Sequence, residues 1–170
     1  MNVDHIGYAV KNIDASRQAF EELGYVFDPV VNDTDRNIFI SFGRLGDYRI
    51  ELVSPLDPAL PSPVDGMLKK SGNTPYHICY TSSRFEDDIK ELQQKRFLLT
   101  IPPAPACAFG GRRVAFLYHL QIGLLELVDH RIDTNVVVGL LVREFCCSGT
   151  DVSAKVLAIY ADTKTPSMEP

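Results

Sequence analysis

From Val3 to Val10 the chain alternates, with His5, Gly7 and Ala9 on one side and Ile6, Tyr8 and Val10 on the other. That period of two predicts a half-buried strand with a small, open face around the histidine. Helical spacing follows: Ser16, Ala19, Phe20 and Leu23 form one stripe, Asp14 stands where an N-cap belongs, and Gly24 supplies the stop. Two β-rich runs come next, Tyr25 to Val31 and Asn37 to Phe42, parted by the polar Asn32-Asp33-Thr34-Asp35 turn. Gly43 to Asp47 reads as another turn, and Tyr48 to Val53 as a strand with Arg49, Glu51 and Val53 on one face. Pro55, Pro58, Pro61 and Pro63 mark an irregular connector. Ser62-Pro63 predicts the N-cap and first residue of a short helix carrying Val64, Met67 and Leu68, ended near Gly72.

After Gly72 the pattern begins again. Pro75 to Thr81 is strand-like with His77, Cys79 and Thr81 on one face. Ser83-Arg84-Phe85-Glu86 has the form of a capping box and opens a helix with the stripe Phe85, Ile89 and Leu92. Phe97 to Ile101 is a strand, and the loop Pro102 to Gly111 reads as a connector or a lid. Arg112 to Leu120 and Leu124 to Val128 are the last strands of the pattern.

The two halves superpose. His5 falls on His77, Ile13 on Phe85, Phe20 on Leu92 and Tyr25 on Phe97, each 72 positions apart. Ile38 to Phe42 fall on Val114 to Tyr118, and Glu51 falls on Glu126, 75 positions on. Such a duplication fixes the architecture. The fold class is α+β: two tandem βαβββ modules, residues 1–54 and 74–130, joined by a linker helix within 55–73, with equivalent residues set around a pseudo-twofold axis. Residues 131–170 form a C-terminal extension outside the repeat, in which Val136 to Val142 suits a strand, Val152 to Ala161 a strand or helix, and Thr163 to Pro170 a disordered end.

Bulk properties narrow the setting. Of 170 residues, 45% are hydrophobic and 23% charged, as in a globular protein. A net charge of −5 lacks the basic face that nucleic acid requires, and no polybasic run suits a membrane surface. No apolar run approaches the roughly 20 residues of a spanning helix. The strand pattern starts at once, leaving no room for a secretory signal, and the four cysteines lack CxxC spacing. A cytoplasmic protein with reduced thiols is expected.

Chemistry concentrates in an echo. Ile50-Glu51-Leu52-Val53 recurs as Leu125-Glu126-Leu127-Val128, each copy placing one carboxylate among aliphatic residues. A buried carboxylate is costly unless paired. The repeat supplies partners, because it superposes His5 with His77 as well as Glu51 with Glu126. Two imidazoles and two carboxylates suit a divalent metal, whose charge the carboxylates balance. On an octahedral ion they would leave two positions for a bidentate substrate. Elsewhere the readings are plain: His119 and His130 as solvent-facing strand ends, Cys79 as a small core residue, Cys146-Cys147 as incidental, and Arg112-Arg113 as a solvated loop end.

Tandem modules with Asp4-His5-Ile6-Gly7, Ile50-Glu51-Leu52, Tyr76-His77-Ile78 and Leu125-Glu126-Leu127 at their corners resemble the vicinal oxygen chelate superfamily over residues 1–130. That group includes glyoxalase I, methylmalonyl-CoA epimerase, extradiol dioxygenases and bleomycin resistance proteins. Ser54-Pro55-Leu56-Asp57-Pro58, Lys69-Lys70-Ser71-Gly72 and Gly110-Gly111-Arg112-Arg113-Val114 are most similar to the epimerases. The resemblance implies a cupped, mostly antiparallel eight-stranded sheet and a homodimer. It also implies a metal (cobalt, nickel, zinc, manganese or iron) held by His5, Glu51, His77 and Glu126. The implied reaction is that of an isomerase, epimerase or lyase working through a metal-stabilised enolate of a small carbonyl or acyl-thioester substrate. Glu126, partnered by Glu51, is then the general acid or base. The epimerases' further catalytic glutamate falls near Asn32-Asp33-Thr34, where Asp33 or Asp35 could substitute. Two other readings share the fold: a drug-binding resistance-type protein and a non-haem iron dioxygenase.

Overall fold

A computed structural model describes residues 1–130, so the expectations for 131–170 lie outside the described residues. Strand β1, Asn2–Ala9, buries His5, Gly7 and Ala9 and leaves Ile6 exposed, so the face around the histidine is the inner one. Helix α1 spans Ile13–Glu21. Its N-cap is Asn12 rather than Asp14: the Asn12 side chain accepts from the Ala15 N–H at 2.9 Å. The expected stripe shifts as well, since Ile13, Ser16 and Phe20 face inward while Ala19 and Leu23 face solvent. Gly24, at φ +94°, turns the chain out of the helix.

The run expected as one strand from Tyr25 to Val31 is split into β2, Val26–Phe27, and β3, Val31–Asp33. Pro29, which has no N–H for a ladder, sits in the break. Strands β4, Ile38–Leu45, and β5, Tyr48–Pro55, form a hairpin closed by Gly46-Asp47, a tighter turn than the pattern suggested. The connector leads to α2, Asp65–Ser71, which starts two residues after Pro63 and stops at Gly72. Asn37 anchors that connector by donating to the carbonyls of Asp57 and Leu60 and accepting from the Asp57 N–H, each at 2.9 Å.

The second half repeats the first: β6, Thr74–Ser82; α3, Phe85–Gln94; β7, Leu98–Pro105; β8, Arg113–His119; β9, Gly123–Asp129. The α3 stripe is Phe85, Ile89 and Leu92 as expected, but Arg84 is the N-cap, without a side-chain cap bond, and the serine that braces the chain before it is not Ser83 but Ser82. Its hydroxyl accepts from the Arg84 N–H at 2.9 Å and donates to Asp88 at 2.6 Å. Strand β7 runs on through Pro102 and Pro103. It can do so because it is a sheet edge whose pairing with β8 is interrupted between Ile101 and Ala104, so neither proline is called on for a ladder bond.

The nine strands of the described residues form one open sheet in the order β2-β4-β5-β1-β6-β9-β8-β7, with β3 also pairing β4. The α+β, glyoxalase-like fold read from the sequence is therefore observed, and nine segments replace eight through the split at Pro29. Strands β1 and β6 meet antiparallel at the centre, and each pairs in parallel with the last strand of its own module. Ile6 lies opposite Ile78, which is its own repeat equivalent, so the pseudo-twofold passes between them. One face of the sheet carries the helices: α1 packs Ile13 against Ile50 and Leu52, and α3 packs its stripe against Leu117, Leu125 and Leu127. The other face carries Val53, Cys79, Val114 and Val128 together with Glu51 and Glu126. Among the described residues no helix is long and apolar enough to cross a membrane.

Candidate metal centre

The register builds the site. Glu51 lies opposite Gly7 and Gly7 opposite His77; by the pseudo-symmetry, Glu126 lies opposite Cys79 and Cys79 opposite His5. Each carboxylate and imidazole thus flank one small residue, and alternation sends all four side chains to the same face. Gly7 has to be small, because a Cβ there would stand 2.0 Å from His77 Cε1. All four groups are buried.

Their inner atoms converge. His77 Nε2 is 3.2 Å from Glu126 Oε2 and 3.6 Å from Glu51 Oε2; His5 Nε2 is 3.4 and 3.5 Å from the same oxygens. The two Nε2 atoms are 3.3 Å apart. Ligand atoms about 2.1 Å from one ion stand roughly 3.0–3.4 Å from each other, close to this spacing. Glu126 Oε2 is buried with no hydrogen-bond partner, and two facing imidazole nitrogens can share at most one proton in neutral form. The set fits a divalent cation, which would satisfy all four groups at once.

The surroundings polarise the tetrad unequally. Val3 pairs with Tyr80 and His5 with Cys79, leaving Asp4 as an extra, bulged residue that reaches back to its neighbour. Asp4 accepts from His5 Nδ1 at 2.8 Å and is ion-paired with Arg49, so Nδ1 carries the proton and Nε2 faces the tetrad. Burial opposes charge on His5, but the bond to Asp4, the Cys79 thiol and the facing carboxylates of Glu126 and Glu51 outweigh it and raise the pKa. Burial likewise opposes charge on Glu126, and the two histidines outweigh it, holding the carboxyl below its ordinary range. Asp4 too is lowered: bonds to His5 and Arg49 overcome its burial. In the second module the equivalent extra residue is Tyr76, between the Gly7–His77 and Tyr8–Pro75 pairs. Its ring meets the His77 ring edge-on at 4.4 Å, and His77 Nδ1 has no hydrogen-bond partner. Burial, then the charges of Glu51 and Glu126, push the Tyr76 hydroxyl up, so it stays protonated.

A small cleft of about 50 Å³ opens over Glu51 and Glu126. Ile38, Ile40, Val53, Phe109, Val114 and Phe116 give it apolar walls, and Asp33, Arg36 and Tyr76 give it polar ones. The loop expected as a connector or lid supplies part of the wall: a 3-10 turn, Cys107–Phe109, buries Phe109 with its ring stacked 6.0 Å from His5. Cys79 lies beneath the site as a fully buried thiol, which burial keeps protonated. His119 is half-buried against Phe97, and Arg113 is not simply solvated, since it pairs with Glu86 at 2.5 Å and Asp129 at 2.6 Å. His130 is exposed. Asp35 does not line the cleft, whereas Asp33 does. Sequence reasoning passed over Tyr76 and Arg36 as site residues. Strand alternation assigns Tyr76 to the wrong face, and nothing local marks Arg36.

Duplicated βαβββ modules with a paired His and Glu cluster beside the pseudo-twofold define the class of protein. Residues 4–116 match the model of the Glyoxalase/Bleomycin resistance protein/Dioxygenase superfamily, and the chain belongs to that family. No curated protein matches it. Among solved structures, a hypothetical protein from Bacillus halodurans is 26% identical with a TM-score of 0.66, over 78% of this chain and 96% of that one. Methylmalonyl-CoA epimerase from Mycobacterium tuberculosis is 21% identical at TM-score 0.66, over 79% and 91%. A Streptomyces coelicolor methylmalonyl-CoA epimerase in complex with 2-nitronate-propionyl-CoA is 21% identical at TM-score 0.65, over 78% and 99%. At these identities the epimerases share the fold with this chain.

Proposed function

We propose that residues 1–130 form a divalent-metal-dependent isomerase, epimerase or lyase acting beside a carbonyl group. The observation that carries this reading is the tetrad, with Glu126 Oε2 buried and unpartnered 3.2–3.4 Å from two imidazole nitrogens. His5, Glu51, His77 and Glu126 would hold the ion; cobalt, nickel, zinc, manganese and iron all suit the donors. When bound, the ion supplies Lewis acidity to a substrate carbonyl.

The chain's own residues do the rest. Asp4 fixes the ring of His5 through Nδ1, and Phe109 and Phe116 keep water from the cleft floor. Glu126 takes the proton from the carbon beside the carbonyl on its carboxylate oxygen and returns it, with Glu51 as its counterpart across the pseudo-twofold. Small carbonyl compounds and acyl thioesters are the substrate classes; the thioester class is supported by the acyl-CoA analogue named with the Streptomyces coelicolor epimerase. A fourth protein ligand speaks against a dioxygenase, whose facial triad has three. A cytoplasmic homodimer with no nucleic-acid or membrane partner completes the proposal.

The test is solvent deuterium exchange by metal-loaded protein with a panel of 2-substituted acyl thioesters and small ketones, read by proton NMR. Exchange at the α-carbon should occur with at least one member, stop on chelation, and fall by about 100-fold or more in Glu126→Gln. Undiminished exchange in that variant removes Glu126 from the role.

A further inference from the structure

Arg36 occupies the turn between β3 and β4 and lines the cleft. Its Nη1 donates to Asp33 Oδ2 at 2.7 Å, its backbone N–H to Asp33 Oδ1 at 3.1 Å, and its Nη2 to the Pro105 carbonyl at 2.7 Å. Asp33, a buried carboxylate, thus holds this one residue at two points, its guanidinium through Oδ2 and its backbone N–H through Oδ1. That use removes Asp33 as a free base at this wall and makes it a clamp. A guanidinium has five N–H donors in a planar fork. Two meet Asp33 and Pro105, and no described residue accepts from the others. The Arg36 side chain lines the cleft and is 31% exposed, so a ligand in the cleft can reach it.

From this we infer that Arg36 anchors a carboxylate on the substrate, and that the enzyme selects chelating carbonyl compounds bearing a second, anionic end. The inference rests on the tetrad being a metal centre. Charge balance supports it. Glu51 and Glu126 offset a divalent ion and Asp33 offsets Arg36, so an entering carboxylate meets hydrogen-bond donors without net repulsion. The alternative, in which Arg36 only ties the β3–β4 turn to the end of β7, affects stability and has no preference among ligands.

The probes are hydroxamates, which chelate metals through two oxygens. Monohydroxamates of succinate, glutarate and adipate are compared with uncharged alkyl hydroxamates of equal length, by calorimetric titration of the metal-loaded protein. At least one carboxylated probe should bind about tenfold or more tighter than its uncharged twin, the scale of a charge-assisted contact. In Arg36→Gln that ratio should fall to about one. Arg36→Lys, which can keep the ion pair with Asp33, should retain only part of it. Equal affinities at every length in the wild type, or an undiminished ratio in Arg36→Gln, overturn the anchor while leaving the metal centre standing. Binding of all probes without metal dependence sinks the metal reading and the anchor together.

Discussion

A Cβ at Gly7 would lie 2.0 Å from Cε1, 2.4 Å from Nδ1 and 2.5 Å from Nε2 of His77. No rotation of a methyl group relieves that, so in Gly7→Ala the imidazole must leave its place across β1. Overpacking of this kind costs roughly 1–3 kcal/mol in stability. The sharper effect is on the site: affinity for a divalent ion should fall by at least about tenfold, as measured by competition with a chromophoric chelator. Gly66→Ala meets open space and should leave affinity unchanged. Equal affinities in the two variants would mean that His77 is not a ligand. Asp4 and Tyr76 show how unequal two copies of a motif can become. One bulge supplies a carboxylate to its histidine, and the other supplies a phenol that leaves His77 Nδ1 unpartnered.

At the scale of elements, α3 is the more firmly anchored helix. It buries Phe85, Ile89 and Leu92, whereas α1 buries Ile13 alone. Its first turn carries Glu86, Asp87 and Asp88, which favour the positive end of the helix dipole. The start of α3 depends on the buried Ser82 hydroxyl, between the Arg84 N–H and Asp88. Ser82→Ala should destabilise the protein by about 1–2 kcal/mol in urea unfolding. Ser83→Ala, at the position the capping-box pattern favours, should stay within about 0.5 kcal/mol of wild type. The reverse order would make Ser83 the residue that holds the helix start. At the sheet edge, Pro102, Pro103 and Pro105 also serve against aggregation, because a strand without those donors is a poor template for another chain.

For the molecule as a whole, each module contributes one histidine and one glutamate across the β1–β6 seam. A bound ion would therefore bridge the two halves and stabilise the folded state by mass action. At a free ion concentration 100 times the Kd the gain is about 2.7 kcal/mol, read as a shift in urea midpoint. Glu51→Gln, in the first module, should remove most of that gain, and so should Glu126→Gln, in the second. A midpoint indifferent to every divalent ion tested would count the tetrad as a buried hydrogen-bonded cluster.

What the chain determined by itself is what periodicity can carry. Alternation and helical spacing marked most strands and helices, the α3 stripe, and the duplication that pairs His5 with His77 and Glu51 with Glu126. Those features are legible because local sequence sets which face a side chain takes, and a repeat reports its own symmetry. Tertiary structure decided the rest. Bulges beside Asp4 and Tyr76 turn both residues toward their histidines, an outcome of β1–β6 pairing that alternation within one strand cannot foretell. Asn12 displaced the expected cap of α1, and at α3 Arg84, braced by Ser82, took the place expected of Ser83, because capping depends on where the packed helix starts. Arg36 reaches Pro105 across 69 positions, and Phe109 reaches His5 across most of the chain described. The four candidate ligands could be read from one dimension; the walls that choose what reaches them exist only in three.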